Sequence, residues 1–268
     1  MPLHKSDYPI LEYDTEKIAV IQPGTGVEGN RAGNSGVPDR PKIPAKCLMT
    51  FFEEVLEAFI KKTGAKKVDN FESEMKDFPI YEAEYKNQKI SLIQATVGSG
   101  SCAMMTDYII GQGVDTLITC GSCGVLTDIP AGDVIIPVSA LRDEGASYHY
   151  LPPAREVILN KEVIKTIKDT LAEFSAPYVE AKTWTTDAFY RETPDMITYR
   201  KEEGCSVVEM ECASIAAVTE FRGVRFGQLL YSGDILTDFE NYDNRDWYND
   251  LSAREKLFYL GLEALLRL

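Results

Sequence analysis

Basic residues are scarce in this chain, and so are histidines and long apolar runs. Its 268 residues hold 28 Lys and Arg against 42 Asp and Glu, for a formal net charge of −14. A nucleic-acid surface needs clustered cations to displace counterions from phosphates, so this balance excludes nucleic acid as a partner. No run of about 18 apolar residues occurs, which argues against a membrane partner. Residues 1–12 alternate charged and apolar side chains instead of building the apolar core of a signal peptide. A cytoplasmic protein is therefore expected. The two histidines, His4 and His149, lie far from the Cys120–Cys123 C-x-x-C pair, and no second such pair exists. No metal is expected from that pattern. The six cysteines (Cys47, Cys102, Cys120, Cys123, Cys205 and Cys212) sit mostly in apolar runs and read as small buried thiols.

What is present is a rhythm of strand-like and helix-like segments, with hydrophobic residues making up 44% of the chain. Strands are expected over 17–22, 89–97, 115–121, 133–141, 178–186, 206–211 and 225–232. Several are continuous apolar runs, as in strands covered on both faces. Helices are expected over 45–62, 102–110, 161–174, 212–221 and 251–268. No repeat or linker divides the chain, so residues 1–268 read as a single α/β domain. Two segments break the rhythm: a glycine-rich stretch over 23–44 carrying Arg31 and Arg40, and an acidic, aromatic stretch over 236–247.

Glycines cluster where three strands are expected to end. Gly98-Ser99-Gly100-Ser101, Gly121-Ser122-Cys123-Gly124 and Ser232-Gly233-Asp234 would each bring backbone N–H groups or hydroxyls to a sheet rim. Three such turns together suit an oxyanion or phosphate. Glu209 and Glu211, two residues apart at the end of an apolar run, would point to one side of a strand. Such a carboxylate can grip vicinal hydroxyls, and an internal ion pair with Arg or Lys is the competing account. Asp234 ends another apolar run, where a carboxyl group can serve as a proton donor, or else cap a turn. Phe189 and Tyr190 can stack on a flat heterocycle, or belong to the core.

Taken in order, these segments resemble the nucleoside phosphorylase family, in the branch that holds hexameric purine nucleoside phosphorylase and uridine phosphorylase. The similarity runs from about Ile43 to Asp234. It rests on Val208-Glu209-Met210-Glu211, the G-S-C-G segment, Ala131-Gly132-Asp133-Val134, residues 143–149 and Asp187-Ala188-Phe189-Tyr190. The resemblance implies a central twisted mixed sheet forming a distorted barrel flanked by helices, and a homo-oligomer, either a dimer or a hexamer. It implies that Glu211 binds the ribose hydroxyls, with Met210 beneath the sugar and Glu209 in support. His4 would reach the 5′-hydroxyl in a neighbouring subunit. Phe189, with Tyr190, would bind the base, Ser122 would contact phosphate together with Gly98 and Ser99, and Asp234 would protonate a purine at N7. Inorganic phosphate is then a co-substrate, and no cofactor is needed.

Two departures stand out. Thr119 occupies the place of an arginine two residues before the G-[ST]-x-G motif. The place expected for a G-D-P-x-R loop reads Arg40-Pro41-Lys42-Ile43-Pro44-Ala45. Arg31, Arg40, Arg142 or Arg191 would then have to supply the phosphate cation. The same departures suit a hydrolytic nucleosidase that activates water with a glutamate near the N-terminus, for which Glu28 is the nearby carboxylate. A nucleoside-binding sensor without turnover is a third reading. Asp234 leans towards a purine, while residues 145–149 look more like the uridine branch.

Overall fold

The computed structural model describes residues 3–23, 43–237 and 242–268. In chain order the chain forms β1 (Leu3–His4), β2 (Tyr13–Asp14), β3 (Lys46–Thr50), α1 (Glu53–Thr63), β4 (Lys66–Phe71), β5 (Phe78–Tyr85) and β6 (Gln88–Gln94). There follow α2 (Ser99–Gly111), β7 (Thr116–Val125), β8 (Val134–Asp143), β9 (Glu156–Ile158), α3 (Lys161–Glu173) and β10 (Tyr178–Thr186). The last elements are α4 (Pro194–Glu202), β11 (Cys205–Glu209), α5 (Cys212–Arg222), β12 (Arg225–Ile235) and α6 (Leu251–Arg267).

The main sheet is mixed and runs β11-β10-β8-β12-β7-β3-β6-β5-β4. Because β11 also pairs antiparallel with the end of β7, through Val207–Val125 and Val208–Gly124, five strands close into a ring. One apolar cluster draws Cys123 and Val125 from β7, Ile135 from β8, Ala181 from β10, Val207 from β11 and Leu230 from β12. Every strand of the ring thus contributes to a filled interior, as a small barrel requires. The edge of β7 is shared: Thr116–Cys120 pairs with β3, and Gly124–Val125 with β11. β3, β6, β5 and β4 continue outward from there as an open wing. The expected barrel of mixed strands flanked by helices is what the chain adopts.

Several boundaries differ from the sequence reading. The expected helix over 45–62 is a strand followed by a helix. Cys47, Leu48 and Met49 are completely buried between β6 and β7, and a strand covered on both faces loses its period-two signature. α1 starts only at Glu53, with Glu53 and Glu54 in its first turn and Gly64 capping its end at φ 66°. The expected strand over 17–22 does not form, and Ile18, Val20 and Ile21 are largely exposed. A hairpin over β5 and β6 was not expected in full. Lys86 and Asn87 both take positive φ between paired Tyr85 and Gln88, the two-residue loop that matches strand twist.

The G-S-C-G and Ser-Gly-Asp motifs also lie inside strands, not in turns after them. A Cβ at Gly124 would come 2.9 Å from Leu236 Cδ1 and 3.0 Å from Val208 Cγ1. The glycine therefore serves close approach between β7, β11 and the end of β12, not backbone curvature.

α6 lies across β3 and β7, and Gly261 makes that contact possible. A Cβ there would stand 2.5 Å from Cys120 Sγ and 3.1 Å from Leu48 Cδ1. Gly261→Val is expected to lower the unfolding free energy by about 1–3 kcal/mol through overpacking, read by urea titration. An unchanged midpoint would show that the α6 contact is looser than these distances imply.

Candidate active site

A pocket of about 370 Å³ opens at the carboxyl ends of β7, β11 and β12. Its walls include Ser122, Phe189, Glu209, Met210, Glu211 and Asp234, so six of the residues singled out in the sequence meet in one place. That size suits a small-molecule ligand. A larger hollow of about 820 Å³ lies between residues 151–160 and the end of α5. Its buried cation, Arg142, already donates to Ser147 Oγ, Leu151 O and Pro152 O. The smaller pocket, with unspent polar groups, is the better candidate.

The two glutamates do different jobs. Glu209 ends β11 and is buried, accepting from Thr183 Oγ1 (3.2 Å), Thr185 Oγ1 (2.6 Å) and the N–H groups of Glu211 (2.7 Å) and Cys212 (2.6 Å). Burial pushes its carboxyl up, and these four donors pull it back. Glu211 has left the strand and sits at φ −138°, ψ −25° before α5. The period-two argument for a shared side therefore does not apply, because the chain bends at Met210. Glu211 accepts the Gly98 N–H at 2.6 Å, and burial with the neighbouring Glu209 charge raises its proton affinity.

That contact corrects the reading of Gly98 and Ser99. The Gly98 N–H is bound to Glu211, and Ser99 Oγ donates to Met210 O at 2.6 Å from a fully buried position. The start of α2 does attract an anion, but the anion is the protein's own carboxylate. Neither residue lines the pocket. Tyr190 is also misassigned: it is 92% exposed and meets Phe189 edge-on at 5.0 Å, turned away from the cavity. His4 is exposed, stacks on Tyr13 at 4.3 Å and lies outside its own protomer's pocket. Arg31, Arg40 and Glu28 fall outside the described residues.

At the far end of the pocket Asp234 is buried and accepts from the Tyr242 hydroxyl at 2.9 Å. Beside it stands Glu192, whose carboxyl burial and the Asp234 charge push up to about 7. Sequence reasoning overlooked Glu192, which carries no motif of its own.

Ser122 also lines the pocket and pairs across the strands with Tyr231. The Tyr231 hydroxyl donates to Trp247 O at 2.7 Å and receives Arg254 Nε at 3.3 Å. Arg254 also donates to Glu54 Oε1 at 2.7 Å and lies over the rings of Phe52 and Tyr248. It is the only Arg or Lys lining the pocket among the described residues, against six carboxyl groups: Glu53, Glu54, Glu192, Glu209, Glu211 and Asp234. Both Arg254 and Glu54 were hidden in helix-forming segments. The residues leading into α1 are Thr50, Phe51 and Phe52, so the loop expected at 40–45 is misplaced as well as changed.

Deeper still, Gln228 lines the pocket and pairs across the strands with Thr119. Both are fully or almost fully buried, and among the described residues neither Thr119 Oγ1 nor the Gln228 amide has a hydrogen-bond partner. Unsatisfied polar atoms in a concavity mark a place for water or a polar ligand. The Cys120 and Cys123 thiols, in contrast, are buried, and burial pushes both up out of the reactive range.

Comparison with known proteins agrees with this geometry. The model of the phosphorylase superfamily matches residues 46–260. A purine nucleoside phosphorylase of Plasmodium vivax (strain Salvador I) is 26% identical over 200 residues, covering 72% of this chain and 80% of that one. A uridine phosphorylase structure from Vibrio fischeri ES114 shares the fold with a TM-score of 0.73 at 20% identity, over 86% of this chain and 95% of that one. An AMP nucleosidase structure from Bacteroides thetaiotaomicron has a TM-score of 0.68 at 23% identity, over 84% and 88%. With four-fifths of its length under one family model, the chain belongs to the phosphorylase superfamily.

Proposed function

We propose that the protein is a pentosyltransferase that splits the N-glycosidic bond of a purine nucleoside with phosphate. The observation that carries this reading is the meeting of Ser122, Glu211, Phe189 and Asp234 in a single pocket. The sugar rests on Met210 with its hydroxyls on Glu211, and the base lies against Phe189. As the bond between C1′ and the base nitrogen breaks, positive charge grows on the sugar and negative charge on the base. Asp234 passes a proton to the base, and a phosphate oxygen held near Ser122 attacks C1′. The products are free base and pentose-1-phosphate, and no covalent enzyme intermediate is required. The reading includes a cytoplasmic homo-oligomer in which His4 serves a neighbouring copy's sugar.

One observation favours a second reading, hydrolysis. Among the described residues the one Arg or Lys lining the pocket, Arg254, is bound to Glu54, which stands in the same wall. A carboxylate there can take a proton from water, whereas a phosphate dianion meets a surplus of negative charge.

Incubation with inosine, with and without phosphate, separates the readings. Ribose-1-phosphate formed only with phosphate supports phosphorolysis, and free ribose without phosphate supports hydrolysis. Binding without any product would leave a sensor. If water is the nucleophile, Glu54→Gln should cut kcat by about 10²–10⁴ with little change in KM.

Asp234→Asn is expected to slow purine release by about 10²–10⁴ while sugar affinity changes little. Equal losses in both would remove Asp234 from the role of acid. Glu211→Gln should raise KM for the nucleoside at least about tenfold by loss of a charged acceptor. The same change should alter stability in a pH-dependent way. Because the folded state raises the proton affinity of Glu211, its ionisation costs stability as pH climbs above the ordinary carboxylate range. The Tm of Glu211→Gln relative to the parent should therefore rise between pH 5 and pH 8. A flat difference would contradict the strained carboxylate.

A further inference from the structure

Phe189 begins a 3₁₀ turn over Phe189–Arg191, and the N–H of Glu192 closes that turn on Phe189 O at 3.3 Å. In such a turn residues three apart stand on one side. Phe189 and Glu192 accordingly both enter the pocket, while Tyr190 between them points to solvent. A base lying against the Phe189 ring would have the Glu192 carboxyl on the same side of the turn. That carboxyl has no hydrogen-bond partner among the described residues. Around it stand Asp234 from β12 and Tyr242 from the segment before α6, and the Tyr242 hydroxyl is spent on Asp234. The pocket's cation, Arg254, is spent on Glu54.

We propose that Glu192 is the residue that selects the base, by accepting an N–H donor on the edge of the heterocycle next to the one that Asp234 protonates. The inference rests on the nucleoside reading above. The Glu192 carboxyl, without a hydrogen-bond partner among the described residues, is free to accept from a ligand N–H. The complement of Glu192 is a purine with an N–H at or beyond carbon 6, either the 6-amino group or the ring N–H of a 6-oxopurine. A purine nucleoside unsubstituted at carbon 6 has none there, and would leave the Glu192 carboxylate without a partner.

The test is a cycle of two substrates and two proteins at pH 8, where Glu192 is largely ionised. kcat/KM is measured for inosine and for purine riboside, with the parent chain and with Glu192→Gln. The preference for inosine should shrink about 10- to 100-fold in the variant, the loss expected for one charged hydrogen bond. An equal preference in both proteins would overturn the assignment. Calorimetry of hypoxanthine and unsubstituted purine binding reads the same ratio without turnover. If the parent cleaves neither nucleoside, the catalytic reading fails, and the base affinities still decide the role of Glu192. Hypoxanthine favoured in the parent, with that preference lost in Glu192→Gln, supports it, and an unaltered preference removes it.

Discussion

The carboxylate of Glu209 is the constraint on which the site depends. A charge without partners at that depth would cost several kcal/mol, so the surrounding chain is arranged to supply them. Two threonines of β10 and two backbone N–H groups at the start of α5 converge on it. One side chain thereby joins β10, β11 and α5 where the barrel closes. It also fixes the bend at Met210, which carries Glu211 out of the strand. Gly98 and Ser99 then grip Glu211 and the Met210 carbonyl from the start of α2. The Glu211 carboxyl and the Met210 carbonyl are thus held from α2 while Glu209 holds the bend before them, which is the preorganisation that a positioned site requires.

Much of the architecture was legible because it is written in local periodicity. β10 over Tyr178–Thr186 coincides with its expected range, and the helices α3, α5 and α6 differ from theirs by a residue or so. The 45–62 segment was misread because apolarity on both faces of β3 erases alternation and merges with the amphipathic α1 that follows. Residues 17–22 carry strand-like composition yet find no partner strand, and composition cannot report partners.

The site was legible where a motif existed and silent where it did not. Ser122, Phe189, Met210, Glu211 and Asp234 come from segments with recognisable order. Gly98 and Ser99 had the right chemistry, an anion at a helix start, but the sequence does not say that Glu211 fills it. Arg254 and Glu54 belong to helices whose charged positions read as solvated faces, and only tertiary packing brings them together 200 residues apart in the chain. Glu192 becomes visible only through the turn that aligns it with Phe189.

The charge distribution joins these parts. Among the described residues six carboxyl groups face a cavity with one committed guanidinium, and Glu192 and Glu211 hold protons more tightly than in water. At an effective dielectric near 20, each ionised carboxyl about 6 Å from a bound dianion opposes it by roughly 5 kcal/mol before screening. A neutral group such as the Gln228 amide can orient an oxygen nucleophile but cannot offset that repulsion. The charge of the nucleophile is therefore the quantity on which phosphorolysis and hydrolysis divide. Phosphate needs cations brought to the rim, whereas water needs only a base such as Glu54. A nucleoside would suit either case, because its hydroxyl and N–H donors would relieve the same carboxylates that repel an anion.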